Sequence, residues 1–302
     1  MTVYHYCSTD VFTKIISDKC IRLSDITKSN DSMEILWITK FIKEIFDEEF
    51  EKEKNNTSYF SEGYDKDVFN ELVDHYSKEF FEEDVRLYSY FVCCFSKKGD
   101  LLSQWRGYAD DANGFSIGFD SEILSNLGFS AKYDALSDNF FEYDQIEYSE
   151  YHQKNHIRKA AKQLITDLKT IAKDKPKDIK KQSMVAFNRC FLQLFKLSIF
   201  MKNPFFKEEK ELRLAYLAQI EYNPTSLKVY VNNNIEVSNI EFYSRKNDFI
   251  PYITLNFDKI KAELIKEVII GPKCKARQND IKIFLNQNGI DCEVKKSEGT
   301  YR

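Results

Sequence analysis

Apolar positions along this chain follow two periods, and each switch between them marks an element. VYHYC (3–7) reads as a short strand. Ser8 or Thr9 can cap a helix whose apolar positions, Val11, Phe12, Ile15 and Ile16, follow helical spacing. IRLSD (21–25) reads as a second short strand. After the turn KSND, Asp31 and Glu34 have capping-box spacing ahead of an amphipathic helix carrying Leu36, Ile38, Phe41, Ile42, Ile45 and Phe46. DEEFEKEKNN reads as an acidic solvated tail and loop, and 67–83 as a further helix.

Tyr88–Ser96 and Gly114–Asp120 are strand-like, and between them lies LLSQWRGYADDAN. Residues 151–202 read as mostly helical, with Pro176 separating two helices and an apolar second one near 183–201. EEKELRLAYL (208–217) alternates strictly and reads as a strand. Further strand candidates are 227–231, 250–257 and 265–270, followed by a helix at 281–288 and a last strand at 292–295. Strands gather at both ends, helices are inserted between them, and no repeat is visible. The pattern predicts a single α+β domain over 1–302, with helical insertions at about 31–85 and 150–202.

Composition narrows the class. The chain has 302 residues, 43% hydrophobic and 30% charged, which describes a soluble globular protein with a substantial core. Twenty-five phenylalanines and 18 tyrosines against nine glycines and five prolines suit helices and aromatic-packed sheets. A net charge of -4 gives no global attraction to nucleic acid or to an anionic membrane. No run reaches the ~18 apolar residues of a membrane span, and no basic-then-apolar signal opens the chain. The expected location is cytoplasmic. Cys7, Cys20, Cys93, Cys94, Cys190, Cys274 and Cys292 form no C-x-x-C pair, which suits reduced thiols rather than zinc or a disulfide frame.

Several side chains are candidates for chemistry. Trp105, Arg106 and Tyr108 could clamp a planar or phosphorylated ligand. Trp105 could equally be a core anchor and Arg106 a partner of Asp110 or Asp111. Glu209, Glu211 and Arg213 share a parity on the 208–217 strand, so two carboxylates could orient a hydroxyl or stabilise a developing cation. The same pattern also fits a solvated face with a cross-paired arginine. His5 shares its face with Val3 and Cys7, as a hydrogen-bonded core histidine would. His152 and His156 have metal-compatible i, i+4 spacing but no nearby carboxylate or thiol, so no metal is expected. Residues 151–183 hold ten Lys/Arg against three Asp, a face that could touch phosphates or be plain surface helix. GPKCKAR could form an anion-binding turn without P-loop spacing. No cluster of acids has nuclease-like metal spacing.

The order of these pieces carries a resemblance. VYHYCS, IRLSD then NDSMEI, CFS followed by LLSQWRGYADDANGFSIGFD, EEKELRLAYL, and VIIGPK with a closing YR resemble the bacterial family called domain of unknown function 2971. Its layout in turn resembles the ADP-ribosyltransferase fold, which implies a mixed, mostly antiparallel sheet with inserted helices. The resemblance implies NAD as co-substrate and no metal. Carried over, it assigns NAD contacts to His5, Arg106, Tyr108 and Ser96, and the catalytic carboxylate to Glu211 or Glu209. The histidine would hold the adenine-side ribose, and the tyrosine would stack on nicotinamide. The glutamate would stabilise the oxocarbenium-like ribose as nicotinamide leaves. The acceptor would be a protein or a nucleic acid, and the role that of a toxin or phage-defence effector. The other function class is a non-enzymatic sensor or nucleic-acid-binding module on the same fold. The enzyme reading requires His5, Arg106, Tyr108 and Glu211 to converge on one cleft.

Overall fold

The computed structural model describes residues 1–29, 33–54, 66–82, 88–129, 140–174, 177–219, 230–231, 235–245 and 247–301. These residues form a mixed α+β structure that divides into two compact units. The first comprises 1–28, 89–146 and 207–302; the second comprises 29–88 and 147–206.

The first unit is built on strands β1 (Thr2–Cys7), β2 (Cys20–Asp25), β3 (Tyr88–Ser96), β4 (Phe115–Asp120), β5 (Phe140–Gln145) and β6 (Glu211–Gln219). To these it adds β7 (Tyr230–Val231), β8 (Ile235–Glu236), β9 (Glu241–Arg245), β10 (Asp248–Asn256), β11 (Ile265–Ile270) and β12 (Glu293–Lys296). Ten of them make one sheet, ordered β12-β11-β4-β1-β3-β2-β10-β9, with β6 also on β3 and β5 on β6; β7 and β8 pair separately. The β11–β12 ladder is parallel, while β1–β4, β4–β11, β2–β3, β2–β10, β9–β10 and β5–β6 are antiparallel. The sheet is therefore mostly antiparallel and open.

Its helices are α1 (Thr9–Asp18), α4 (Leu102–Tyr108), α5 (Ser121–Phe129), α8 (Lys261–Leu264) and α9 (Gln278–Gln287); those of the second unit are α2 (Thr39–Lys54), α3 (Lys66–Phe81), α6 (Glu150–Asp174) and α7 (Ile179–Ser198). Ser8 caps α1 by accepting from the Val11 amide, as expected from an extended serine ahead of an apolar helix. The buried α1 residues Phe12, Ile15 and Ile16 join Val3, Cys7, Phe95, Ile117, Leu212 and Leu214 in one core on a single face of the sheet. Each such fully buried side chain contributes on the order of 1.5–3 kcal/mol from removal of apolar surface from water. A smaller cluster of Tyr6, Trp105, Ala109, Ala112 and Ile269 covers the opposite face at β1. Gly114 is required where β4 begins, because a Cβ there would sit 2.0 Å from the Cys7 carbonyl oxygen.

The second unit is a helical bundle filled by aromatic rings. Phe50 stacks on Phe69 at 4.6 Å and Tyr76 on Phe187 at 5.4 Å. Buried Gln153 accepts from Trp37 Nε1 at 2.9 Å and donates to the Glu147 and Lys202 carbonyls. The basic face of α6 meets the acidic face of α2. Arg158 pairs with Glu48 and Glu49, Lys162 with Glu49, and Lys169 with Glu53.

Several sequence expectations need correction. The acidic run is helical as far as Lys54, because Phe46 and Phe50 continue the buried stripe and the acids have basic partners. The strand expected at 208–217 starts only at Glu211. Pro204–Glu209 is a 3-10 turn, and Lys210 adopts a left-handed φ of 47° that breaks the alternation. The sequence reading did not contain α5, β5 or β9. Asp31 of the expected capping box, Pro176, 227–229, and the closing Arg302 lie outside the described residues, as do parts of KSND and of the acidic loop. Glu34 immediately precedes the 3-10 turn Ile35–Ile38.

Candidate functional site

The α4 segment is anchored by Trp105, which is 1% exposed. Its ring meets Tyr6 edge-on at 4.8 Å, and Nε1 donates to Asp100 Oδ1 at 2.6 Å. The tyrosine hydroxyl donates to the Lys98 carbonyl and accepts from the Leu101 amide, fixing the loop that feeds the helix. Three left-handed residues follow α4: Asp110, Asp111 and Ala112, with φ of 50°, 48° and 73°. Such conformations cost about 1 kcal/mol each outside glycine. The turn is held by backbone bonds from Ala112 to Trp105 and from Gly114 to Ala109.

Arg106 and Tyr108 project outward from this frame. Arg106 is exposed and forms no direct ion pair with Asp110 or Asp111, although its charge helps to hold the Asp111 carboxyl down. Asp111 is instead bonded by Lys273 at 2.6 Å and by Tyr301 at 2.8 Å, which together hold its carboxyl below the usual range. The Lys273 ammonium also lies 4.1 Å over the Tyr301 ring, so that turn lysine is engaged within the fold. Tyr108 donates to Glu209 Oε1 at 3.0 Å, and Ser96 Oγ donates to the Glu209 carbonyl at 2.8 Å. Tyr108, Glu209 and Ser96 are thus brought together.

Glu211 and Arg213 behave differently from a solvated strand face. They are 4% and 1% exposed, and Arg213 Nε donates to Glu211 Oε1 at 2.5 Å. Both alternate with Leu212 and Leu214, which share the core of Val3 and Cys7. His5 lies on the Val3 and Cys7 side of β1. Alternation therefore puts His5 and Glu211 on opposite faces of the sheet. His5 is also not grouped with Arg106, Tyr108 or Glu209.

The His5 environment is a notch of about 50 Å³ lined by His5, Val11, Lys14, Ile15, Asp18, Cys20 and Arg22. His5 Nδ1 donates to the Cys94 carbonyl at 3.0 Å, which leaves Nε2 as the acceptor nitrogen. Loss of hydration pushes the His5 pKa down, against the opposing pull of that carbonyl. Lys14, Cys20 and Arg22 were not singled out by the sequence. The one available signal was that Arg22 alternates with the inward pair Ile21 and Leu23. Among the described residues, no group of three or more His, Cys, Asp or Glu could hold a metal ion. No helix there is long and apolar enough to cross a membrane.

The lowered His5 pKa sets a pH dependence. Its folded value lies below the unfolded one of about 6.5, so the unfolded chain binds more protons in that window. The stability contribution is complete above the unfolded value and is lost as pH falls through it toward the folded value. Urea midpoints measured between about pH 7.5 and 5.5 should fall on acidification. The fall should be smaller in His5→Asn; an identical fall in both chains would remove His5 as the cause.

A mixed α+β unit carrying an exposed Arg-Tyr helix and a separate histidine notch is the class that these features define. Against known proteins, the model of the family described as "Protein of unknown function (DUF2971)" matches residues 104–214. The match runs from the α4 segment through Glu211 and Arg213 and does not include His5. No curated protein and no solved structure matches the chain.

Proposed function

We propose that this chain is a non-enzymatic sensor that takes a nucleotide of the NAD class beside His5. The supporting observation is the notch itself, where a histidine acceptor nitrogen, Lys14 and Arg22 line one concavity with Val11 and Ile15. A neutral imidazole can accept from a ribose hydroxyl, the Lys14 ammonium suits a phosphate, and apolar walls suit a base. Complete small-molecule pockets span ~300–1,000 Å³. The notch, at about 50 Å³, receives one group of such a ligand, and the remainder lies over the neighbouring surface. The sensor reading is preferred to a transferase because Glu211 is buried against Arg213 on the other face. The nucleic-acid form of the reading has less support, since Arg158, Lys162 and Lys169 are all paired with acids of α2.

A second reading, an NAD-using ADP-ribosyltransferase built on Glu209 and Tyr108 without the cleft shared by His5 and Glu211, is favoured by the Tyr108–Glu209 hydrogen bond at a part-exposed edge. There the Glu209 carboxylate would stabilise positive charge on ribose while the nicotinamide bond breaks. Calorimetric titration with NAD, run alongside chromatography for free nicotinamide, separates the two. The sensor reading expects saturable binding with no nicotinamide released. Release that drops about 100-fold in Glu209→Gln would establish the transferase instead. No binding at all would remove both.

A further inference from the structure

We infer that the outer edge of β9 is the interface of a symmetric dimer, in which β9 pairs antiparallel with β9 of a second copy of this chain. The inference stands apart from any nucleotide binding.

β9 (EFYSR) ends the ten-stranded sheet, and among the described residues no strand pairs with its outer side. Its ladder with β10 sets Arg245 opposite Asp248, Tyr243 opposite Ile250 and Glu241 opposite Tyr252. Only two residues separate Arg245 from Asp248, so these two exchange the first pair of backbone bonds. Bonded pairs alternate along an antiparallel ladder, so Tyr243 and Glu241 also direct their backbone groups at β10. The N–H and C=O groups of Phe242 and Ser244 therefore face outward. Pro251, which has no N–H to give, stands opposite Phe242, in agreement with that phase.

The side chains on this edge are not those of a guarded one. Phe242 and Phe249 stack at 4.8 Å with ring planes 5° apart, and they are 53% and 61% exposed. Alternation places both on the face that carries Ile253 and Leu255 of the core. β12, at the other end of the sheet, closes on Lys295 and Lys296, as natural edge strands do to repel a further strand. On the second face, Arg22 holds the hairpin in place. Its guanidinium lies 5.4 Å from the Tyr243 ring centre and 4.6 Å from that of Tyr252.

The sequence of β9 selects the occupant. Outward groups at 242 and 244 allow three self-pairings: Phe242 opposite itself, Phe242 opposite Ser244, or Ser244 opposite itself. Only the second sets position 241, a glutamate, opposite position 245, an arginine, and the two-fold axis repeats that match. In this register Phe242 and Ser244 exchange backbone bonds across the interface, and Tyr243 faces the partner's Tyr243. Phe242 becomes a diagonal neighbour of the partner's Phe242, within reach of aromatic rings. The two Phe242–Phe249 stacks then merge into one apolar strip across the axis. A strand from an unrelated protein could satisfy the same backbone groups, but the charge order of β9 matches β9 itself.

Sedimentation equilibrium of the full chain from about 1 to 100 μM should show a reversible monomer–dimer equilibrium. Phe242→Lys should weaken the dimer about tenfold, because the axis places the change twice in the interface. Ser244→Pro removes an outward N–H without touching the β10 ladder. It should abolish the dimer while far-ultraviolet circular dichroism stays unchanged. If Ser244→Pro does not fold, Phe242→Lys, on an exposed side chain, keeps the test decisive. Arg245→Glu should weaken the dimer by setting like charges opposite each other, and Glu241→Arg combined with Arg245→Glu should restore it. A chain that is monomeric throughout overturns the inference and leaves the edge to a strand of another protein. A dimer unchanged by Phe242→Lys also overturns it, by placing the interface elsewhere. A double variant as weak as Arg245→Glu overturns the register on which the choice of partner rests.

Discussion

Arg213→Met should lower the stability of the chain by ~3–5 kcal/mol, read as a drop in the urea midpoint followed by far-ultraviolet circular dichroism. The arginine is the largest charged side chain in the interior, 1% exposed, and its Nε lies 2.5 Å from a carboxylate that is itself 4% exposed. Removing the arginine takes from the buried Glu211 carboxylate a cation that faces it at 2.5 Å. That loss far exceeds what the intact pair contributes relative to a hydrophobic pair of similar volume. The double variant Glu211→Leu with Arg213→Met should therefore recover most of the lost midpoint. A double variant as unstable as the two singles added together would show that the ion pair is not the reason. The result also bears on function. Loss of an activity in Glu211→Gln is evidence for catalysis only if the variant keeps its fold, so Glu209→Gln is the cleaner probe of a catalytic carboxylate.

Trp105→Ala should cost about 3–5 kcal/mol, because it removes the largest fully buried side chain and leaves a cavity against Tyr6. The effect should reach beyond the cavity. Asp100, which accepts from the indole, also accepts from Ser297 Oγ at 2.6 Å and from the Glu298 amide at 2.8 Å. One carboxylate thus ties α4 to the segment after β12. Hydrogen exchange at residues 297–299 should accelerate in Trp105→Ala. Trp105→Phe should lose less stability, since a ring still packs against Tyr6 while the bond to Asp100 is gone. Unchanged exchange at 297–299 in Trp105→Ala would dissociate the two effects.

What could be read in the sequence was whatever depends on local period. Strand-like composition located β3 and β11 to the residue and β1, β2 and β10 to within two, whereas the strict alternation at 208–217 placed the start of β6 three residues early. Trp105 was legible as a core anchor, and His5 as a hydrogen-bonded residue on the Val3 face. The left-handed residue Lys210 was not legible, because no glycine marks it, and that single turn ends the alternation just ahead of Glu211. The burial of Arg213 was equally hidden, since an E-x-E-x-R alternation looks the same on a wet face and a dry one. The stacking of Arg22 on tyrosines more than 200 residues away in the chain is a relation that only strand pairing supplies. The resemblance to an ADP-ribosyltransferase layout suggested which residue types to examine. It could not say whether His5 and Glu211 face each other across one space.

The β5–β6 ladder sets Gln145 opposite Leu212, so the chain closes it only after all of α6 and α7 have been made. Closing a long loop before any contact rewards it is entropically slow, whereas two helices adjacent in sequence form their contacts early. The ends of this segment are joined by their own bonds, from the Glu147 amide to the Phe200 carbonyl and from the Lys202 amide to the Glu147 carbonyl. Once the α6–α7 hairpin has formed, those bonds convert a loop of some sixty residues into one of a few. Pairing of β5 with β6, the ladder that carries Glu211 and Arg213, should therefore follow formation of the α6–α7 hairpin in refolding, an order that pulsed hydrogen exchange would read.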